Sequence, residues 1–394
     1  MRLKLTGTVR EVLACWLVIA WLVFSGGVTV AWGADELKVA AGEDAEPGGR
    51  EELAKYVSML AAPSYQRREL AMRKLVNAGT AAIEPLESAM RDGNLELIDR
   101  ASSILQDLAL LETPGDEGVA WSSLERLQQN GPGAASTRAV SSLNLIRRER
   151  IKRAQAELAA VGIKAGYQEF LQANMSFTAD MVRVDDEWTG DVEALQWLPW
   201  LYSTQLALIE GTALNGTVLE AISKLPALNE IRLRDGELDA DSLRKLTGIK
   251  RFDLLELHFV DIGDGDDDLF ALADLPVRQQ LILTGTEFDR EDYEALKVNR
   301  DDIEITFSRG GFLGVQCTPG LPTCTVNLVV PGSAASRAGI MARDIITHIG
   351  DEEIVRFEDL QAAVRRFKPG ESATVKVKRG VRELEFAIDL GRQD

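Results

Sequence analysis

Apolar positions change their period along the chain, and the changes divide it. From Glu51 onward, Leu70 and Leu75 are followed by Ile83, Leu86 and Met90 and then by Ile98, Ala101, Leu105 and Leu108, the last two sets recurring at steps of three or four within their segments. That spacing puts them on single faces of short helices. Gly79-Thr80 and Asp92-Gly93-Asn94 supply the breaks between them. A further pair is expected through Trp121, Leu124 and Leu127 and a long charged helix from about Ala134 to Val161, giving a helical region over 50–183. Residues 34–49, rich in Gly, Ala, Asp and Glu with no period, read as a linker.

Between Leu198 and Phe307 a different unit repeats, starting at Leu198, Leu225, Ile249 and Leu275. Each unit carries an alternating apolar pair suited to a short strand: Leu206/Leu208, Ile231/Leu233, Leu255/Leu257 and Leu281/Leu283, with Ile303/Ile305 opening a fifth. A single apolar residue follows each strand (Leu214, Leu238, Ile262, Phe288), then apolar pairs at helical spacing such as Leu243/Leu246, Leu269/Leu272 and Tyr293/Leu296. Such a unit cannot bury its face alone, so the units must stack and present a strand-lined surface. The pattern resembles the leucine-rich-repeat family over 184–307, and the helical segment, with Tyr65, Arg68 to Ala71, Arg100-Ala101 and Ile104-Leu105, resembles HEAT-like repeats.

The last 87 residues are organised otherwise. Gly310-Gly311-Phe312-Leu313-Gly314-Val315 precedes an apolar strand Val326 to Val330, then Pro331-Gly332-Ser333 to Gly339-Ile340, the strand Asp344 to Ile349, a helix Glu358 to Phe367, and strands Ala373 to Arg379 and Arg382 to Leu390. This order resembles the PDZ domains of bacterial HtrA-type proteases, placing such a domain at 308–394. The family usually has glycine where Arg343 stands. Three-part organisation follows: a multi-domain α+β chain with all-α helical repeats, an α/β leucine-rich-repeat solenoid and a C-terminal PDZ-type β-sandwich with capping helices. The succession is similar to multi-module exported proteins of planctomycete-like bacteria.

Glycines flanking an apolar residue let backbone N–H groups converge into a nest for a terminal carboxylate. Phe312, Leu313, Gly314 and Val315 are the expected loop, with Gln316 continuing into a strand whose free edge accepts a peptide. Spacing from the Pro369-Gly370 turn puts Asp359, Ala363 and Arg366 nearest the groove and Leu360, Val364 and Phe367 in the core; the resemblance implies that Arg309 assists the carboxylate, with a solvated loop charge as the alternative.

Charge narrows the partners. The net charge is −18, and Arg2, Lys4 and Arg10 against Glu11 mean that loss of the first 33 residues leaves −20. So acidic a surface repels nucleic acid and anionic lipid, and favours protein or peptide ligands. The basic start, the uncharged apolar run from Val12 to Phe24 and Ala31-Trp32-Gly33 read as a signal peptide over 1–33, with an uncleaved membrane tether through residues 12–34 as the rival. In either case the rest lies outside the cytoplasm, periplasmic or secreted. Cys15 precedes the apolar run, so lipidation is rejected. Cys317 and Cys324 then remain, and an even pair in an exported chain invites a disulfide closing Thr-Pro-Gly-Leu-Pro-Thr, although two reduced residues in a hairpin would look the same.

Catalysis is not expected. A serine triad needs an imidazole, and His258 and His348 both fall inside expected strands. Gly-x-Ser-x-Gly and His-Glu-x-x-His are absent from the sequence, although a serine-lysine dyad needs neither. No cofactor is expected. Asp261, Asp264, Asp266, Asp267 and Asp268 tempt a calcium reading, but against the EF-hand pattern Leu269 stands for the glycine and Leu275 for the closing glutamate. The sequons at Asn174 and Asn215 are short enough to be chance. The sequence therefore points to an exported, non-catalytic adaptor; the alternative is a regulatory or degenerate relative of an HtrA-type serine protease.

Overall fold

A computed structural model describes residues 47–394 except 116–117, 173–174, 264–265, 287, 319 and 393–394. The expected leader, the tether, Cys15, nearly all of the linker, Asn174 and Asp264 lie outside the described residues.

Six α-helices open the described residues: α1 (Pro47–Met59), α2 (Tyr65–Asn77), α3 (Ile83–Asp92), α4 (Leu95–Leu111), α5 (Val119–Asn130) and α6 (Gly133–Ala160). Asn94 starts α4 by accepting the Leu97 amide at 2.9 Å, which satisfies one of the orphan donors of the first turn. Leu75, Leu86, Met90, Ile98, Ala101, Leu105 and Leu108 converge with Leu124, Leu127, Leu143 and Ile146 in one core. Leu70 departs from its expected place: it is exposed, and Ala71 on the adjoining face is buried instead.

The helical region ends sooner than expected, because Gly162 at φ 87 stops α6. Residues 164–184, read as part of that region, form an antiparallel hairpin of β1 (Lys164–Gln172) and β2 (Met175–Val184). Its outer strand opens a seven-stranded sheet in sequential order. The parallel strands that follow are β3 (Leu206–Glu210), β4 (Glu230–Glu237), β5 (Phe252–Asp261), β6 (Val277–Thr284) and β7 (Glu304–Ser308). Helices α7 (Gly216–Ile222), α8 (Ala240–Arg244), α9 (Asp266–Ala273) and α10 (Arg290–Asn299) return the chain between them. Ile231/Leu233, Leu255/Leu257 and Leu281/Leu283 face the helices in the main core, as do Leu214, Leu238, Ile262 and Phe288. The first pair is reversed. Ala207 and Ile209 face that core, while Leu206 and Leu208 join Met181, Phe170 and Ala179 on the opposite face of the sheet.

That opposite face is covered at one end by the hairpin, since β2 pairs with β3 only through Met181–Val184 and the Phe170 ring lies 5.2 Å from the Arg232 guanidinium. At the other end stands the C-terminal unit: β8 (Gly311–Phe312), β9 (Val315–Cys317), β10 (Val326–Val329), α11 (Ala334–Ala338), β11 (Ile345–Ile349), β12 (Glu352–Glu353), α12 (Phe357–Val364), β13 (Ser372–Arg379), β14 (Arg382–Asp389) and β15 (Gly391–Arg392). Arg343, where the resemblance expected glycine, takes φ 74, so the turn is kept at the steric cost that a Cβ imposes in the left-handed region. Asp344 beside it is buried and accepts both Nε and Nη2 of Arg379 at 2.8 Å. Burial works against its charge, but the Arg379 bonds and the Met341 amide win and hold its carboxyl below the usual range.

Two junctions fix these units to each other. Phe259, at φ 53, wedges against Gly285 and Gly310, where a Cβ would come within 2.3 and 2.6 Å of its ring. The Arg392 guanidinium covers the same ring at 3.9 Å and pairs with Asp235. On the helical side, Arg150 is buried between Trp121 and Trp200, 4.6 and 4.7 Å from their ring centroids, and its Nη2 lies 2.5 Å from Glu112 Oε2. Burial raises the Glu112 pKa despite that partner. Removing one member of such a pair strands the other in a desolvated site. Arg150→Ala is therefore expected to cost about 3 kcal/mol or more in denaturant unfolding; a loss under about 1 kcal/mol would show that the pair does not hold this junction.

Candidate peptide-binding groove

The loop after β8 is set by two carbonyls. Leu313 O accepts the Ala335 amide at 2.9 Å, and Gly314 O accepts the Val330 amide at 2.9 Å and the Ser333 hydroxyl at 3.3 Å. In a trans peptide the N–H points opposite to the C=O. Tying both carbonyls to the 330–335 segment therefore turns the amides of Gly314 and Val315 the other way. The Val330 to Gly314 bond also makes Val315 and Val329 a non-hydrogen-bonded pair of the β9–β10 ladder, which leaves the backbone polar groups of Val315 on the open edge. Strand β9 ends its two-stranded sheet, with β10 as its partner among the described residues. Gly314 adopts φ 81, and a Cβ there would stand 2.1 Å from Ser333 Cβ. Glycine at this position is required by both the turn and the approach.

The amides face a cavity of about 410 Å³. Gly311, Phe312, Leu313, Gly314 and Val315 line one side, and Phe357, Leu360, Gln361, Val364 and Arg365 of α12 and its C-terminal end line the next. The third wall is the outer face of the sheet: Arg234, Glu256, His258, Ile282, Thr284, Thr306 and Ser308.

Phe312 to Val315 thus stand where the sequence placed them. Gln316 lies in the edge strand β9, opposite Leu328 in the β9–β10 ladder, and its exposed side chain is outside the cavity lining. The face of α12 is rotated from the expected one. Ala363 is buried in the domain core, Asp359 accepts the Arg356 amide at 2.8 Å at the N-terminus of α12, and Arg366 pairs with Glu352. Leu360 and Val364, expected as core, line the cavity while also touching that core. The error came from anchoring the helix phase at Pro369-Gly370, whereas α12 ends at Val364 and the following turn shifts it. Arg309 sends its Nη1 to the Arg366 carbonyl at 3.2 Å, beyond the C-terminal end of α12, and is outside the cavity lining. Of the arginines at this end of α12, Arg365 reaches the lining.

His258 was expected to be an ordinary strand residue, and it lines the cavity with Glu256. The sheet wall left one signal in the sequence: polar residues interleaved with the apolar pairs, Arg232/Arg234, Glu256/His258 and Thr306/Ser308. They marked an outward strand face, but nothing local says which unit covers it.

Cys317 and Cys324 are buried thiols with sulfurs 3.2 Å apart. The contact with Cys324 lowers the Cys317 pKa, while the same contact and burial push Cys324 up. In the acidic loop Asp267 pairs with Arg244 at 2.5 Å and Asp261 accepts the Gly263 amide at 3.0 Å.

Residues 311–390 match the PDZ domain family. Among solved structures, the HtrA-type protease AlgW with a decapeptide is similar at 19% identity and a TM-score of 0.22, over 27% of this chain and 35% of that one. A serine endoprotease from Yersinia pestis is similar at 23% identity and a TM-score of 0.20, over 21% of this chain and 29% of that one. The HtrA3 PDZ domain bound to a phage-derived ligand is similar at 30% identity and a TM-score of 0.18, over 20% of this chain and 84% of that one. The chain spans about a third of the length of the two proteases. No curated protein matches the chain. It carries a PDZ domain at 311–390.

The close approach at Gly314 generates a direct expectation. Gly314→Ala should destabilise the domain by about 2 kcal/mol through left-handed strain and the Ser333 contact. Thermal unfolding of the variant checks it, and an unchanged midpoint would show that the loop geometry is not under this constraint.

Proposed function

We propose that this protein is an exported, non-catalytic adaptor whose PDZ groove captures the free C-terminus of a peptide or protein. The observation that supports this most directly is the pair of amides, Gly314 and Val315, turned toward an open strand edge beside an apolar cavity. A terminal carboxylate accepts from such amides, the peptide behind it adds to β9 by main-chain bonds, and an apolar last side chain fits among Leu313, Phe357, Leu360 and Val364. The strand–helix units, read as leucine-rich repeats, and the helices before them, read as HEAT-like repeats, offer broader surfaces for a second partner. Export, by a cleaved leader or a retained tether, belongs to the same proposal and suits the paired cysteines. So does binding without a covalent step: on this reading His258 serves recognition.

Peptides ending in a free carboxylate should bind the full chain about tenfold or more tighter than the same peptides amidated, since the lost bonds are charge-assisted. Equal affinities in fluorescence anisotropy would refute carboxylate capture. Mass spectrometry of the same mixtures should show intact peptides, and turnover that tracks the purified chain would instead place it with the proteases.

The disulfide is testable separately. Oxidised glutathione should accept two electrons from Cys317 and Cys324, releasing two reduced glutathiones and leaving an intramolecular bond. Closing so short a loop should stabilise the domain by about 2 kcal/mol. Thiols that stay fully alkylatable after this treatment would overturn the pairing.

A further inference from the structure

The groove has a wall that a PDZ domain does not itself supply. Parallel pairing aligns Arg234 with His258, His258 with Thr284, and Thr284 with Ser308, so these four residues form one row across β4 to β7. Glu256, Ile282 and Thr306 form the neighbouring row. At about 4.8 Å per strand the row from Arg234 to Ser308 runs about 14 Å, the span of about four extended residues. All of these side chains face the cavity that Gly314 and Val315 face. The Phe259 wedge and the Arg392–Asp235 pair hold the two walls at this separation.

We propose that this sheet wall selects the ligand, by pairing Arg234 with an acidic side chain a few residues before the captured C-terminus. The inference rests on the peptide-capture reading and goes beyond it by naming the ligand chemistry and the residues that read it.

Charge carries the argument. In a chain of net charge −18 the cavity lining holds two guanidiniums, Arg234 and Arg365, against one carboxylate, Glu256. Glu256 is already ion-paired, its Oε2 3.1 Å from Nη1 of Arg232, the buried guanidinium behind it, although the contact lacks hydrogen-bond geometry. Arg234 is held more loosely, its Nη2 3.9 Å from Glu256 Oε1, beyond hydrogen-bond reach. Arg234 Nε is buried and finds no hydrogen-bond acceptor in the structure among the described residues. A guanidinium held this loosely at the cavity wall gains a partner from a ligand that brings a carboxylate and is opposed by one that brings an ammonium. Thr284, Thr306 and Ser308 continue the wall with small polar groups that admit a side chain.

The test uses the full chain and three peptides with free carboxylates, each ending in valine, with Glu, Gln or Lys filling the three positions before it and alanine elsewhere. The Glu peptide should bind about tenfold tighter than the Gln peptide, and the Lys peptide weakest, with the preference shrinking as salt rises. Arg234→Gln and Thr306→Glu should each bring the Glu peptide down to the affinity of the Gln peptide or below it. Thr306 lies outside the Arg232–Glu256 cluster, so Thr306→Glu decides the matter should Arg234→Gln fail to fold. Equal affinities for the three peptides, or a preference that survives both variants, would overturn selection by the sheet while carboxylate-dependent capture stands. If amidation makes no difference to any of them, capture and selection fall together.

Discussion

Everything at the groove depends on the direction of two peptide planes. The carbonyls of Leu313 and Gly314 are fastened to the segment that leads into α11, and planarity then sends the amides of Gly314 and Val315 toward the cavity. Main-chain bonds carry this positioning, with the Ser333 hydroxyl as a second donor to Gly314 O. It needs a residue at 314 that tolerates φ 81 and leaves room for Ser333, and glycine alone does both. A binding site made from backbone donors is insensitive to side-chain identity in its ligand, so discrimination has to come from the surfaces around it.

Those surfaces belong to two units of the chain. Helix α12 gives an apolar flank through Phe357, Leu360 and Val364, and the sheet gives a polar one through Arg234, His258, Thr284 and Ser308. The arrangement is possible because the repeat units leave one face of their sheet free of helices, and because Phe259, in an unusual left-handed conformation, lets Gly285 and Gly310 close on it. The hairpin β1–β2 covers the far end of that face with Phe170 and Met181. What remains open is the part that the C-terminal domain confronts.

The sequence spoke clearly where local pattern decides the outcome. Alternation at Ile231/Leu233, Leu255/Leu257 and Leu281/Leu283 located three strands and their buried face, and the glycines around Phe312 and Leu313 located the loop. It failed where tertiary contacts decide. Leu206 and Leu208 alternate as well as their counterparts do, yet the hairpin gives them a second apolar surface, so the first strand turns its other face to the main core. Lys164 to Val184 alternates weakly and was absorbed into the helical region before it. Ala363 lies in the core and not at the groove because the phase of α12 depends on where its last turn ends, while Leu360 keeps its core place and lines the cavity as well. Above all, the meeting of the sheet with the α12 side of the groove joins residues that lie about 50 to 130 positions apart, which no local period reports.

The most direct measurement of the central claim is the amide chemical shift of Gly314 and Val315 in ¹H–¹⁵N spectra during titration with a free-carboxylate peptide. Carboxylate capture predicts large downfield movement of both signals, absent with the amidated peptide. Binding that leaves these two signals still while moving others would contradict the account.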